Sequence, residues 1–197
     1  MLQLVADRII ENEPMLSEAD RNLGDGDHGL GMKRGMEAVK EKLAAGVDSV
    51  EKAFSATGMA MMSSMGGASG AIFGTLWRNG GKALAGKESF DAAGLADLLK
   101  AGLEGVISRG GAKPGDKTMI DALHPAAEKA QSVTNLPLHE ALVAVSAAAE
   151  AGKEASRAMI ATMGRAKTLG EGSIGFPDAG ACSVAVIFKA MADFASA

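Results

Sequence analysis

The stretch Asp20-Arg21-Asn22-Leu23-Gly24-Asp25-Gly26-Asp27-His28-Gly29 decides how the rest of the chain is read. Its glycines spell Gly24-x-Gly26-x-x-Gly29, the spacing of a dinucleotide-binding turn. Such a turn follows a strand and holds a pyrophosphate against its backbone. No strand-like run precedes Asp20, and Asp25 and Asp27 would stand where the pyrophosphate belongs. That reading is rejected. A calcium loop is rejected too, because the twelfth position from Asp25 is Met36 rather than glutamate and the glycine is misplaced. Three aspartates within eight residues repel one another unless a cation or proton intervenes. Glycines between them let the backbone fold tightly around a ligand. Spacing alone leaves two readings open: an open magnesium site completed by phosphates, or a solvated turn whose aspartates cap helices.

Outward from this segment the sequence is helical. Alanine, leucine, methionine, lysine and glutamate dominate, and the chain has no tyrosine and one tryptophan, Trp77. Leu2, Val5, Ile9 and Ile10 recur at helical spacing. Residues 13–31 lack sustained apolar periodicity and read as a loop, or as a pair of helix ends. Helices are expected over Met32 to Leu43, from Ser49 as N-cap through Met62, through Ile72, Leu76 and Ala83, and from Asp91 as N-cap through Ile107. Further helices are expected over Lys117 to Gln131, with Pro125 a possible kink, from Pro137 to about Met163, and through Val184, Ile187, Met191 and Phe194. The sum is seven or eight helices without a strand, in one domain over residues 1–197. Four polar, glycine-rich loops separate them: 20–31, 65–70, 108–116 and 164–180. With helices alternating up and down, loops an even number of helices apart share an end, so several can converge on one site.

Composition limits the function. With 47% hydrophobic residues the chain is not expected to be disordered. A net charge of -4 and no basic run argue against nucleic-acid binding. Cys182 is the single cysteine, which fits a reducing compartment. Neither a signal peptide nor a membrane span is expected, so the cytoplasm is the expected setting.

Other segments carry chemistry less specifically. Gly66-Gly67-Ala68-Ser69-Gly70 lies between helices, where bare amides make either an anion site or a tight turn. Arg165 and Lys167 lie in the loop ending at Asp178-Ala179-Gly180. Arginine there suits a phosphate clamp or a plain surface position. Gly81-Lys82 and Gly86-Lys87 lack the following Ser or Thr of a Walker A loop. His28, His124 and His139 are not at metal-ligand spacing, and His124 reads as structural. Cys182 and the methionines at 59, 61, 62 and 65 read as core.

Taken together, the loops resemble the nucleotide-binding (L) subunits of dihydroxyacetone kinases, from about Asp20 to Ala190. The anchors are Gly24-Asp25-Gly26-Asp27-His28-Gly29, Ser63-Ser64-Met65-Gly66-Gly67-Ala68-Ser69-Gly70, Gly105-Val106-Ile107-Ser108-Arg109-Gly110, Pro114-Gly115-Asp116-Lys117-Thr118-Met119 and Gly170-Glu171-Gly172-Ser173-Ile174-Gly175. The resemblance implies a barrel of eight antiparallel helices with ADP or ATP at one end, tethered through two magnesium ions. It places the metal ligands on Asp20, Asp25 and Asp27. Nucleotide contacts fall on His28, Gly29, Leu30, Gly31, Ala68, Ser69, Gly110, Met119, Arg165, Asp178, Ala179 and Gly180, with Arg165 also the catalytic group. The sugar would sit on a separate K subunit. Either ATP or a phosphotransferase-system protein would supply the phosphoryl group. The chain departs from the pattern at Gly31, where Asn or Thr is usual, and at Ala179, where proline is common. Gly172 and Phe176 stand where some relatives carry polar side chains. A non-catalytic nucleotide-sensing module is the alternative, and a fatty-acid-kinase-like domain ranks below it.

Overall fold

The helices form where apolar residues recur three and four apart, and polar side chains start them as their sequence predicts. Ser49 Oγ accepts from Lys52 N at 3.1 Å, and Asp91 Oδ1 accepts from Gly94 N at 2.7 Å. Each such cap satisfies an orphan amide and stabilises its helix by about 1 kcal/mol. The structure, a computed structural model, describes residues 1–197. Nine α-helices carry the chain: α1 (Leu2–Glu11), α2 (Glu13–Arg21), α3 (His28–Ala44), α4 (Val50–Ser64), α5 (Gly67–Lys82), α6 (Ala92–Gly110), α7 (Ile120–Ser132), α8 (Leu138–Ala155) and α9 (Ala179–Ala195). Short 3₁₀ segments at Ser156–Ala158 and Arg165–Ser173 interrupt the connection from α8 to α9. No residue lies in a strand, as the sequence predicts.

Several boundaries differ from the sequence-based expectation. Of the two readings of residues 13–31, the pair of helix ends is the one present: residues 13–21 are the helix α2, longer than a mere end; Pro14 starts it, and Leu16, Ser17 and Ala19 are buried. Its apolar stripe is too short to stand out, and packing against α3 and α9 makes it a helix. Helix α3 begins at His28, four residues before Met32. Gly67 to Gly70 form the first turn of α5, and α6 runs on to Gly110, where left-handed Gly111 ends it. Helix α8 ends at Ala155 rather than near Met163.

Neighbouring helices pack in a closed order: α1, α3, α4, α5, α6, α7, α8, α9 and back to α1. Consecutive members run antiparallel. Gly102 of α6 rests on Leu76 of α5, whereas Gly80, later in α5, rests on Leu98, earlier in α6. Inside the ring lie Ile9, Met32, Met36, Met61, Phe73, Leu76, Trp77, Leu95 and Phe188, all essentially buried. Phe54 stacks on Trp77 at 5.8 Å and meets Phe90 at 4.9 Å. Met61 and Met65 are core as expected, but Met59 is exposed. No helix is long and apolar enough to cross a membrane.

The closest approach joins α7 to α8. A Cβ on Gly152 would overlap the carbonyl oxygen of Asp121 and lie 2.9 Å from the Ala122 Cα. Pro125, inside α7, has no N–H to offer that carbonyl, so no amide stands between the helices. Gly152→Ala is therefore expected to destabilise the protein by about 2 kcal/mol or more, read as a lowered urea midpoint. An unchanged midpoint would mean that α7 and α8 lie farther apart than described.

The antiparallel order fixes where the loops go. Helices α3, α5, α7 and α9 all start at one end of the ring, and the glycine-rich loops gather there with those starts. Parity of helices along the sequence predicts this arrangement.

Candidate functional site

Asp20 sits in the last turn of α2, and Asp25 and Asp27 lie in the connection to α3. One oxygen from each of the three carboxylates can be chosen so that all lie within 4.8 Å of one another. The turn is held by Leu23 N and Gly24 N, which donate to Asp20 O at 2.9 and 2.5 Å. Asp20 Oδ2 also accepts from His28 N at 3.2 Å. The capping role is thus real for Asp20, and it leaves the other Asp20 oxygen for a ligand. Arg165 Nη1 pairs with Asp25, whereas no cation of the chain pairs with Asp20 or Asp27. Three carboxylates balanced by one guanidinium leave a net negative, oxygen-only donor set. That set suits a hard divalent cation such as magnesium.

Beside the aspartates opens a cavity of about 780 Å³, within the usual range for a small-molecule site. The first turns of α3, α5, α7 and α9 border it through His28, Gly67, Ile120 and Ala179. Four helix starts converge here, each with the positive end of a dipole. Those of α3, α5 and α9 keep free amides, whereas the first amides of α7 are taken by Thr118 and Met119. The arrangement favours a polyanion. Ile72, Phe73, Val106, Met119 and Met163 supply an apolar wall.

Most of the residues expected from the sequence meet at this cavity. Asp20, Asp25, Asp27, His28, Gly31, Ala68, Ser69, Gly110, Met119, Arg165, Asp178, Ala179 and Gly180 all line it. Gly29 and Leu30 do not. Gly29 is buried against α2, where a Cβ would overlap Glu13 O and Ser17 Oγ, and the side chain of Leu30 is exposed. The imidazole of His28 is committed within the fold. Its Nε2 lies 2.8 Å from Ser183 Oγ on α9, and burial lowers its pKa, with Asp20 opposing.

Sequence reasoning missed Arg34, Arg109, Lys117 and Thr118, which also line the cavity. Arg34 Nη2 donates to Met65 O at 3.0 Å, tying α3 to the turn before α5. Asp121 was missed as well. Its carboxylate accepts from Gly115 N at 2.6 Å and Thr118 N at 2.7 Å, shaping the turn before α7. The signal for Lys117 and Thr118 was their place in Pro114-Gly115-Asp116-Lys117-Thr118-Met119, and for Arg109 its place in Gly105-Val106-Ile107-Ser108-Arg109-Gly110, but no local pattern gave them a task; Arg34 and Asp121 lie outside both motifs.

Asp178 caps α9, its Oδ2 accepting from Ala181 N at 2.8 Å. Burial pushes its pKa up to about 7; the amides of Ala181 and Gly180 and the ammonium of Lys117 oppose this, and Asp121 adds to it. A raised carboxyl pKa favours the protonated fold. Its contribution is full below the ordinary value of 3.8 and is lost as pH rises through about 7. Asp178→Asn keeps the cap and cannot ionise. The variant is expected to gain stability relative to the parent by on the order of 2–4 kcal/mol between pH 4 and 8. Urea denaturation across that range checks it; a difference independent of pH would contradict the raised pKa of Asp178.

Similarity to known proteins agrees with this geometry. The model of the DAK2 domain matches residues 22–193. The chain belongs to the DAK2 domain family. This DAK2 domain is 43% identical over 180 residues to the "PEP-dependent dihydroxyacetone kinase, ADP-binding subunit DhaL" of Escherichia coli, covering 90% of this chain and 86% of that one. It is 42% identical to the ADP-binding subunit DhaL of the PEP-dependent dihydroxyacetone kinase 1 of Listeria innocua, covering 94% of this chain and 89% of that one. Among solved structures it is similar to the dihydroxyacetone kinase from C. freundii in complex with AMP-PNP and Mg2+. That match has a TM-score of 0.76 at 27% identity and covers 98% of this DAK2 domain. This DAK2 domain spans 33% of the length of that kinase chain.

Proposed function

We propose that residues 1–197 form the nucleotide-binding, phosphoryl-donor subunit of a dihydroxyacetone-type kinase. One observation carries the reading: three aspartate oxygens within 4.8 Å of one another, beside a cavity ringed by four helix starts. Asp20, Asp25 and Asp27 hold magnesium, two ions for three carboxylates, which leaves an excess positive charge for nucleotide phosphates. Bound magnesium supplies charge neutralisation during transfer. The amides of Gly67, Ala68 and Ser69 and the start of α3 take phosphate oxygens, and Ser69 adds a hydroxyl. Ile72, Phe73 and Met119 wall the apolar part of the nucleotide, and Gly110, Asp178, Ala179 and Gly180 complete the enclosure. Arg165, whose guanidinium is the one cation bonded to the aspartate cluster, stabilises charge on the transferring group.

The acceptor is a short ketose held on a separate K-type subunit. Its hydroxyl oxygen bonds to the transferred phosphorus as the bond to the bridging oxygen of the nucleotide breaks, and its proton leaves to a base on that subunit. The partner must cover the cavity mouth. The connection from α8 to α9, which carries Arg165, exposes Ile160, Leu169, Ile174 and Phe176, apolar side chains suited to an interface. The donor is a phosphotransferase-system protein that rephosphorylates bound ADP. Identities of 43% and 42% to ADP-binding subunits of PEP-dependent kinases support this choice over freely exchanging ATP.

The test combines the chain carrying one equivalent of ADP with a K-type subunit, dihydroxyacetone and the phosphorylated donor protein, beside a parallel reaction with MgATP. Many turnovers per ADP are expected with the donor protein. Turnover with MgATP alone would reassign the donor. No sugar phosphate in either reaction would leave a nucleotide-sensing module.

A further inference from the structure

The connection from α8 to α9 carries Arg165 and rises as an arch over the cavity mouth. Its two feet are bonded to each other. Gly175 N donates to Arg157 O at 2.8 Å, Arg157 Nη1 donates to Gly175 O at 3.1 Å, and Asp178 N donates to Ser156 Oγ at 3.0 Å. Higher up, Ala161 N donates to Ser173 Oγ at 2.9 Å. A single ammonium ties both feet of this arch to the turn before α7, and Thr162, between the feet, is bonded to Asp116 of the same turn. Lys117 Nζ donates to Ser156 O at 2.7 Å, Met159 O at 3.2 Å and Phe176 O at 2.7 Å. The first two carbonyls lie on one foot and the third on the other. All three N–H donors are thereby used.

Lys117 is built for that place. Its side chain is buried, with 2% of the residue exposed. It is the one non-glycine residue with positive φ, at 60°, a conformation that persists only where the surroundings impose it. Here they do. Asp121 holds the amides of Gly115 and Thr118 on either side of it. Asp116, next to it, accepts from Thr162 Oγ1 at 2.7 Å and from Thr162 N at 3.2 Å. Arg165 itself is mostly exposed, and its one ionic partner is Asp25. Packing does not fix its guanidinium, so the arch must.

We propose that Lys117 is a positioning residue for phosphoryl transfer: it pins both feet of the 156–176 arch and thereby places Arg165 over the aspartate cluster. The inference rests on the kinase reading above. Binding of MgADP to the unaltered chain tests that reading, and the variants below test only this one.

The experiment measures turnover of the assembled kinase and MgADP affinity for Lys117→Met, Arg165→Ala and the double variant. Lys117→Met keeps the length of the side chain and removes the donors. Turnover is expected to fall about 100-fold, as displacement of a reacting group by about 1 Å would produce, while MgADP affinity changes by less than about 5-fold. Because Lys117 acts through Arg165, adding Lys117→Met to Arg165→Ala is expected to cost nothing further, the non-additivity of coupled residues. A merely structural lysine would lower both backgrounds by the same factor. That result, or turnover of Lys117→Met within 2-fold of the parent, would overturn the proposal. Should Lys117→Met not fold, Lys117→Gln, which retains two donors, takes its place in the same cycle. Failure of both to fold would make Lys117 a residue of fold stability and would overturn the proposal as well.

Discussion

Asp27→Ala is expected to abolish magnesium-dependent binding of ADP while leaving the helical content unchanged. Loss of a group that merely supports a metal ligand costs roughly 10- to 100-fold in metal affinity, so loss of a ligand should cost at least about 100-fold. Asp27 makes a cleaner test than either neighbour. Asp20 also caps α3 through His28 N, so its removal mixes ligand loss with about 1 kcal/mol of helix stability. Asp25 pairs with Arg165, so its removal also releases the arginine. Asp27 stands at the N-cap of α3 without a capping hydrogen bond, and no cation of the chain pairs with it. Calorimetric titration with MgADP, set beside the circular dichroism spectrum, gives the answer. Unchanged affinity would sink the assignment of the metal site.

Arg165→Ala is expected to lower turnover about 100- to 1,000-fold, the usual cost of losing one donor that acts on transition-state charge. Its effect on MgADP affinity is expected to stay within about 10-fold, because ground-state phosphates retain the metal and the helix starts. The charge arrangement around Asp25 sharpens this prediction. Without Arg165, the aspartate cluster loses its one bonded cation, which favours magnesium and can offset lost contacts to the nucleotide. Steady-state kinetics of the assembled kinase, with affinity measured separately, separates the two effects. Equal falls in turnover and affinity would give Arg165 a binding role alone.

Asp20, Asp25 and Asp27 were legible because they lie in one short run, where spacing alone brings the carboxylates together. The expectation that the 20–31, 65–70, 108–116 and 164–180 loops converge was legible for a different reason. Antiparallel helices alternate ends, so counting them along the chain places every second loop on the same side. Helix α2 was legible only as an alternative to a loop, because its helicity comes from burial of Leu16, Ser17 and Ala19 against α3 and α9, which no local pattern displays. The resemblance makes Gly29 a nucleotide contact; the approach of α3 to α2 gives it a packing task that the sequence did not display.

The sequence by itself determined a strandless helical protein and the residue types of its aspartate cluster. Helix periodicity and a contiguous carboxylate run are local properties, set within a few residues. Only the tertiary structure decided which side chains hold the site in place. Lys117 reaches Ser156, Met159 and Phe176 across 39, 42 and 59 residues, and His28 reaches Ser183 across 155. Such bonds depend on how the ring of helices closes, and closure is settled by packing over the whole chain.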